Sequence, residues 1–265
     1  MSIYLLPIAG FIIGILISLM GGGGGIFYIA MLTGLFAIPM NQAVSVSLAT
    51  IIPTTLAASL SHYRAGNVKP KTGFLLVAGG IVGVVAGSYF VKIVPVRILK
   101  IIFGILLLFM GAGMVNSRKK KQVKEEISEN GQLEEPNANE SRPISKLFIA
   151  KGLIFGALGG LMSGMLGASG TPPILAGLDS MGLSSLEVVG TSVMVLFFIA
   201  VTGVITHSAF GTLNWLLVIL LASGTITGAI LGPLFGKRIN KKALEKFYGP
   251  FFIVFIILMA ISMFF

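Results

Sequence analysis

Cysteine is absent from the chain, and charged residues are scarce. Without cysteine there is no disulfide, no thiolate metal site and no cysteine nucleophile. Charged residues make up 11% of the 265 residues, whereas a soluble domain carries about 25%. A chain with so little charge cannot cover a globular surface in water, which excludes an ordinary soluble protein.

Carboxylates are rarest where a membrane enzyme or a cation transporter would need them. Outside residues 117–146 the chain has only Asp179, Glu187 and Glu245, and all three fall near the ends of predicted segments. This placement argues against a proton relay or a cation site built on carboxylates at membrane depth. The sequence also has no P-loop and no His/Glu metal-binding pattern. We therefore expect no enzymatic activity, no catalytic residue, no bound metal or cofactor, and no nucleic-acid partner.

Long apolar runs fill most of the chain instead. Hydrophobic residues make up 55% of it, and a membrane-spanning helix needs about 20 apolar residues. The first residues lack the basic start of a signal peptide, so the first apolar segment is expected to be a retained span. These features predict an all-α, multi-pass protein of the cell membrane, embedded in the lipid bilayer. The stretches without Asp, Glu, Lys or Arg are Ile3–Tyr63, Thr72–Val91, Ile101–Ser117, Gly152–Leu178, Val188–Gly236 and Phe247–Phe265.

The two halves of the chain are related to each other. A shift of 145 positions aligns them without a gap, and the matches are mostly Gly, Ser and His rather than the Leu and Ile that coincide by chance. We expect a first transmembrane repeat over 1–116, a charged polar linker over 117–146 that cannot bury a core, and a second transmembrane repeat over 147–265. The matched pairs include Gly14/Gly159, Ser18/Ser163, Gly25/Gly170, Ser47/Ser192, His62/His207, Gly79/Gly224 and Gly83/Gly228.

Each half is predicted to hold five helical segments. The second segment of each half is too short to cross about 30 Å of hydrocarbon at 1.5 Å per residue, which predicts a short or broken helix. Ser184 and Glu187 have the spacing of a capping box at the start of the eighth segment. The predicted segments are Ile3–Met20, Ile26–Pro39, Gln42–Ser61, Thr72–Val91 and Val96–Val115, then Leu147–Met165, Thr171–Leu183, Ser185–Thr206, Leu213–Phe235 and Ala243–Met263.

Loop charge favours inverted repeats. Basic residues in short loops tend to face the cytoplasm. The loop His62–Lys71 carries Arg64, Lys69 and Lys71, whereas the matching loop His207–Trp215 carries no formal charge. Two loops that faced the same side would have no reason to differ in this way. An odd number of crossings per half would place the basic loop and the 117–146 linker in the cytoplasm, and the uncharged loop outside.

Two glycine-rich breaks interrupt the apolar segments. Gly21–Gly25 form the first, and Leu166–Gly170, followed by Pro172 and Pro173, form the second. Irregular backbone at membrane depth lies within the protein or lines a cavity, and a helix N-terminus attracts anions. Broken helices from the two halves of an inverted-repeat transporter meet near the midplane around an anionic substrate. We therefore predict an anion pocket lined by Gly22, Gly23, Gly24, Gly25, Ser47, Gly167, Ala168, Ser169, Gly170, Thr171, Thr191 and Ser192.

Each of these signals has a structural alternative. Glycine-rich runs also allow close helix packing, and membrane Ser and Thr often bond their own backbone. The pair His62 and His207 suggests proton coupling or gating, because histidine titrates near neutral pH, but a histidine at a helix end also serves as a polar cap. Arg64 would attract anions to the pore, or would simply set topology.

The duplicated pattern resembles the sulfite exporter TauE/SafE family of membrane permeases. The resemblance rests on the breaks Met20–Gly25 and Gly164–Gly170, on Val188-Val189-Gly190-Thr191-Ser192, and on the exits His62–Gly66 and His207–Gly211. It implies transport of small sulfur-containing anions such as sulfite or organosulfonates. The first half departs from the pattern at Ser45-Val46-Ser47 and Ile26-Phe27-Tyr28, which favours the second half for ligand contact.

Two classes of function remain open on the sequence alone. One is a secondary transporter or permease for sulfite or an organosulfonate, with a facilitator or channel for another small anion, such as a carboxylate, as a variant of it. The other is a scaffold or enzyme subunit that does not transport. The identity of the anion, the direction and coupling of transport, and a homo-oligomeric state are also open.

Overall fold

The computed structural model describes residues 3–20, 25–95, 97–99, 101–102, 105, 146–167 and 170–238. Most of the predicted fifth segment, nearly all of the predicted linker and the predicted tenth segment lie outside these residues. Within them the chain forms a 3-10 turn, Ile3–Leu5, and then α1 (Leu6–Met20), α2 (Gly25–Gly34), α3 (Met40–Arg64), α4 (Pro70–Ile93), α5 (Lys146–Leu166), α6 (Thr171–Ser180), α7 (Ser185–Ala209) and α8 (Trp215–Arg238).

Four of the described helices are long and apolar enough to cross a membrane. They are α3, α4, α5 and the Leu186–Ala209 part of α7. The predicted all-α integral membrane protein is confirmed at this level. The capping box is present as well, because the Glu187 carboxylate accepts a hydrogen bond from the Ser184 amide at 3.0 Å. That carboxylate also pairs with Lys69 Nζ at 2.8 Å, across to the α3–α4 loop.

The second helix of each half is short, as expected. α2 and α6 have 10 residues each, which corresponds to about 15 Å of helix and half of a hydrocarbon core. α6 starts directly at Thr171 with Pro172 and Pro173 in its first turn, where missing proline N–H groups cost nothing. Each short helix follows one of the glycine-rich breaks.

Glycines bring two pairs of helices into backbone contact. Gly79 and Gly83 of α4 face the carbonyls of Leu153 and Ala157 on α5, so that a Cβ added at either glycine would overlap an oxygen. Gly224 and Gly228 of α8 face α1 in the same way, while α1 and α5 contribute glycines of their own to these contacts. Residue numbers rise together along each contact, so the helices in a pair run parallel. Lipid tails give apolar helices little reason to associate, and this close packing is what holds membrane helices together.

α3 and α7 cross at the centre of the molecule in opposite directions. The Ser45 hydroxyl, near the start of α3, donates to the Thr212 carbonyl just beyond the end of α7 at 3.0 Å. The Thr191 hydroxyl, near the start of α7, accepts from the Lys69 amide just beyond the end of α3 at 3.0 Å. Leu48 packs against Gly203 between these two ends. The two helices are therefore antiparallel.

The helix bounds correct the gapless alignment of the halves. Bounds of α3 and α7, and of α4 and α8, are 145 residues apart, but those of α2 and α6 are 146 apart, as are the ends of α1 and α5. The loop 35–39 has one residue more than the loop 181–184. Gly14 thus corresponds to Gly160 rather than Gly159, and each packs on a carbonyl of the facing helix, at Thr225 and Gly80 respectively.

Replacing Gly83 with Leu is expected to separate α4 from α5, because the new side chain has no room beside the Ala157 carbonyl. Overpacking of this kind costs about 1–3 kcal/mol. Thermal unfolding in detergent should show a lower midpoint for Gly83→Leu than for Val82→Leu, since Val82 is 68% exposed on the same helix. Equal midpoints for the two variants would contradict the close packing.

Candidate functional site

Two glycines of the second break have a backbone conformation that disfavours a side chain. Gly167 has φ +59° and Gly170 has φ +55°, a left-handed conformation that side chains rarely adopt. Gly167 also packs on Ile29 of α2 and Val44 of α3, and Gly170 packs on Gly159 of α5. The second break therefore lies directly against the first half of the chain. Among the predicted site residues, Gly22, Gly23, Gly24, Ala168 and Ser169 lie outside the described residues.

Ser47 joins the two breaks. Its hydroxyl lies 3.1 Å from the carbonyl of Gly25, the first residue of α2, and 3.1 Å from the carbonyl of Gly167. The side chain is fully buried. Because both oxygens are acceptors, the single hydroxyl hydrogen is shared between them. Gly25, Ser47 and Gly167 are thus the part of the predicted site that the structure brings together, and we call these three residues the joint.

Ser163 is a site residue that sequence reasoning missed. It lies on α5 one turn before Gly167, whose amide donates to the Ser163 carbonyl at 2.7 Å. Its hydroxyl is buried, with 1% of the residue exposed, and has no hydrogen-bond partner among the described residues. An unpaired buried hydroxyl costs free energy unless something else binds it. The sequence carried no signal for it: in the corrected register Ser163 corresponds to Ile17, so its match to Ser18 does not hold.

The two short helices differ in the amide groups they offer. The first four amides of an α-helix have no partner within that helix unless proline removes them, and α2 has no proline in its first turn. In α6, Pro172 and Pro173 have no N–H, and the Ile174 amide is bonded to the Gly170 carbonyl at 3.4 Å. The first turn of α6 therefore has fewer amide donors than a helix start without proline, and the preference for the second half in ligand contact stays a prediction.

Thr191 and Ser192 do not contact the joint in the described structure. Thr191 accepts from the Lys69 amide and packs on Gly73 in the first turn of α4, so it lies at the α3–α4 hairpin. Ser192 donates to the Val189 carbonyl of its own helix at 2.8 Å. Their hydroxyls serve helix contacts here. Thr171 starts α6, next to Gly170.

The matched histidines have different surroundings. His207 is 1% exposed, and its Nε2 lies 3.2 Å from Ser88 Oγ and 3.3 Å from the Gly164 carbonyl. His62 is half-buried, and its ring contact is the Asn67 side-chain amide at 3.5 Å. Arg64 is exposed at the end of α3. Within the described part of the chain, His207 lies close to the second break, since Gly164 is three residues before Gly167.

The interior around the joint carries no formal charge. In the described part of the chain, the buried polar side chains are Ser and Thr hydroxyls, the Tyr28 phenol and His207, and no cluster of His, Cys, Asp or Glu with metal-binding potential is found there. What this interior offers a ligand is neutral hydrogen-bond donors in a region of low dielectric. That chemistry suits a small anion more than a cation.

Comparison with known proteins gives the family. Residues 6–263 match the family described as Sulfite exporter TauE/SafE. The chain belongs to this family. It is 30% identical over 217 residues to "Probable membrane transporter protein YdhB" of Bacillus subtilis (strain 168), covering 82% of this chain and 83% of that protein.

Two further relatives have either a lower sequence identity to the chain or a shorter aligned region. "Probable membrane transporter protein YunE" of Bacillus subtilis (strain 168) is 25% identical over 233 residues, covering 84% of this chain and 85% of that protein. "Probable membrane transporter protein MJ0441" of Methanocaldococcus jannaschii is 33% identical over 181 residues, covering 65% and 61%. No solved structure matches the chain. This TauE/SafE protein is thus a multi-pass membrane transporter of the cell membrane and not an enzyme.

Replacing Gly167 with Ala should destabilise the transporter more than the same change at Gly211. Both glycines have positive φ, so both variants incur strain of about 1–2 kcal/mol. Gly211 has open space around it, whereas a Cβ at Gly167 would lie 2.6 Å from Ile29 Cδ1 and 2.9 Å from Val44 Cα. Thermal unfolding in detergent measures the difference, and equal losses at the two positions would contradict the packing of the break on the first half.

Proposed function

We propose that this transporter carries a small oxyanion, with sulfite or an organosulfonate as its substrate, and binds it beside the joint. The observation that supports this most directly is the buried, unpaired hydroxyl of Ser163, one turn from a broken helix end. The Gly25 and Gly167 carbonyls both accept from Ser47, so the start of α2 and the end of α5 lie close together. The proposal that the substrate contains sulfur rests only on the membership of the chain in the TauE/SafE family.

The chemistry of the joint favours weak, reversible binding. Neutral amides and hydroxyls bind an anion without the strong hold of a buried arginine, so the anion can leave on the other side. Donors that converge on one point fit a compact pyramidal or tetrahedral oxyanion. The absence of formal charge among the buried described residues also leaves no fixed partner for a cationic substrate.

The proposed transport mechanism is alternating access between two inverted repeats. The antiparallel crossing of α3 and α7 supports inversion, because equivalent helices in parallel repeats would point the same way. The contacts also correspond in pairs: α4 packs on α5 as α8 packs on α1, each through glycines facing carbonyls. In such transporters one repeat rocks against the other around a fixed site. We expect such a movement to expose a ligand beside the joint to one side of the membrane and then to the other.

Substrate class is tested by transport into liposomes. Purified protein should take up labelled sulfite and a sulfonate, more slowly acetate, and not an amine, because the site offers donors and no carboxylate. Empty liposomes provide the control. Uptake of the amine alone would end the anion proposal, and uptake of acetate alone would end the sulfur assignment.

Removing the hydroxyl of Ser163 tests the site. Ser163→Ala is expected to leave thermal stability unchanged or raise it, because the hydroxyl has no partner to lose. Substrate uptake should fall about 3–10-fold, because losing one hydrogen bond of about 1 kcal/mol weakens binding by a factor of this size. Ser223→Ala is the matched control, since Ser223 is exposed and its hydroxyl donates to the Leu220 carbonyl of its own helix. Parental uptake by a well-folded Ser163→Ala protein places the ligand elsewhere.

A further inference from the structure

The end of α5 depends on side chains from other helices. The last four backbone carbonyls of a helix have no hydrogen-bond donor within that helix. In α5 the Ser163 carbonyl is bonded to the Gly167 amide at 2.7 Å. The Gly164 carbonyl lies 3.3 Å from His207 Nε2 of α7, and the carbonyl of Gly167 itself accepts from Ser47 of α3. His207 and Ser47 therefore secure the second break from two different helices.

The hydrogen-bond network determines which ring nitrogen of His207 carries hydrogen. Ser88 Oγ donates its hydrogen to the Val84 carbonyl at 2.8 Å, so at 3.2 Å from His207 Nε2 this oxygen acts as an acceptor. The Gly164 carbonyl is also an acceptor. With acceptors on both sides, Nε2 bears the hydrogen in neutral His207. Nδ1 is then the unprotonated nitrogen.

Thr212 lets the ring gain a second proton without moving. Its hydroxyl oxygen lies 3.4 Å from His207 Nδ1 and 3.0 Å from the His207 carbonyl. When Nδ1 is unprotonated, the hydroxyl hydrogen can point at the ring. When Nδ1 is protonated, the hydroxyl accepts from it and turns its own hydrogen to the carbonyl. Both protonation states are thus compatible with the same positions of the heavy atoms.

The charged and titratable groups around His207 are few. Lys92 of α4 lies 3.6 Å from the centroid of the Phe210 ring, and Tyr89 of α4 packs on the same ring. Phe210 in turn packs edge-on against the His207 ring with a 6.4 Å centroid separation. α5 faces His207 with the Gly164 backbone, and the second half of α7 carries no other titratable side chain. Of the side chains in this cluster, histidine is the one whose unperturbed pKa lies between 5 and 8.

Among the described residues, His62 has no network like that of His207. The residue that corresponds to Ser88 in the second half is Pro233, which has no hydroxyl to offer. The Asn67 amide nitrogen, at 3.5 Å from the ring, is the contact of His62 among the described residues. The pair of histidines that suggested shared proton coupling is therefore unequal, and a His62 variant serves as the matched control.

We propose that His207 is a positioning residue for transport: its Nε2–H holds the Gly164 carbonyl near the end of α5, and a proton on Nδ1 tightens that hold and slows the movement of this helix end. A hydrogen bond from a charged donor is roughly twice as strong as one from a neutral donor. The inference rests on the proposed function, because it requires the break to move during transport.

The pH profile of transport separates positioning from a purely structural role. A sulfonate keeps the same charge between pH 5.5 and 7.5, so its uptake reports on the protein. Uptake by the parent protein should be about fivefold slower at pH 5.5 than at pH 7.5. His207→Gln keeps an N–H donor for Gly164 but does not titrate, so its uptake should be the same at both pH values. His62→Gln should retain the parental profile. A parental profile in a folded His207→Gln protein, or no pH dependence in the parent, would overturn the proposal.

A second measurement does not depend on any substrate. The chain contains two histidines, so His62→Gln leaves His207 as the single source of ¹⁵N-histidine NMR signals. Neutral His207 in lipid nanodiscs should show the Nε2–H tautomer at pH 7.5 and a second N–H at pH 5.5. The Nδ1–H tautomer, or a spectrum that does not change with pH, would overturn the role of His207. If no anion is transported, the proposed function fails while this spectrum still tests the histidine.

Discussion

Backbone groups at a helix end need hydrogen-bond partners even where no water is present. α5 ends inside the protein, and the carbonyls of Gly164 and Gly167 at its end are bound by His207 of α7 and Ser47 of α3. The same Ser47 hydroxyl also holds the first carbonyl of α2. A helix break is thus stable only because three other helices surround it. The positions of α2, α3 and α7 relative to α5 follow from this requirement.

Glycine makes these approaches geometrically feasible. α4 lies so close to α5 that a Cβ at Gly79 or Gly83 would overlap the facing backbone, and α1 lies equally close to α8. With these outer pairs in backbone contact, the long antiparallel helices α3 and α7 occupy the centre, where Leu48 meets Gly203. Membrane helices gain little from hydrophobic contact with each other, so this packing and the hydrogen bonds at the breaks supply the cohesion.

The two halves share a framework but differ in chemistry. Serine at position 47 bridges two breaks, whereas Ser192 bonds its own helix. His207 holds the end of a broken helix, whereas His62 lies half-buried at a helix end. The two halves therefore differ most clearly in the polar groups that bind the end of α5.

Composition and spacing in the sequence determined the class of the protein and most of its helices. Long uncharged runs require a bilayer, and the glycine-rich runs locate the breaks to within a residue or two, since five glycines or two prolines cannot continue a helix. The repeat of Gly, Ser and His pointed to Ser47 and to the paired histidines.

Only the tertiary structure decided which polar groups meet. It placed Thr191 at the α3–α4 hairpin and His207 on Gly164, and it left the Ser163 hydroxyl unpaired. It also revealed the one-residue difference between the loops at 35–39 and 181–184. Hydrogen-bond partners far apart in the chain are set by helix direction and by the register of glycine contacts, and neither is readable from spacing within a single segment.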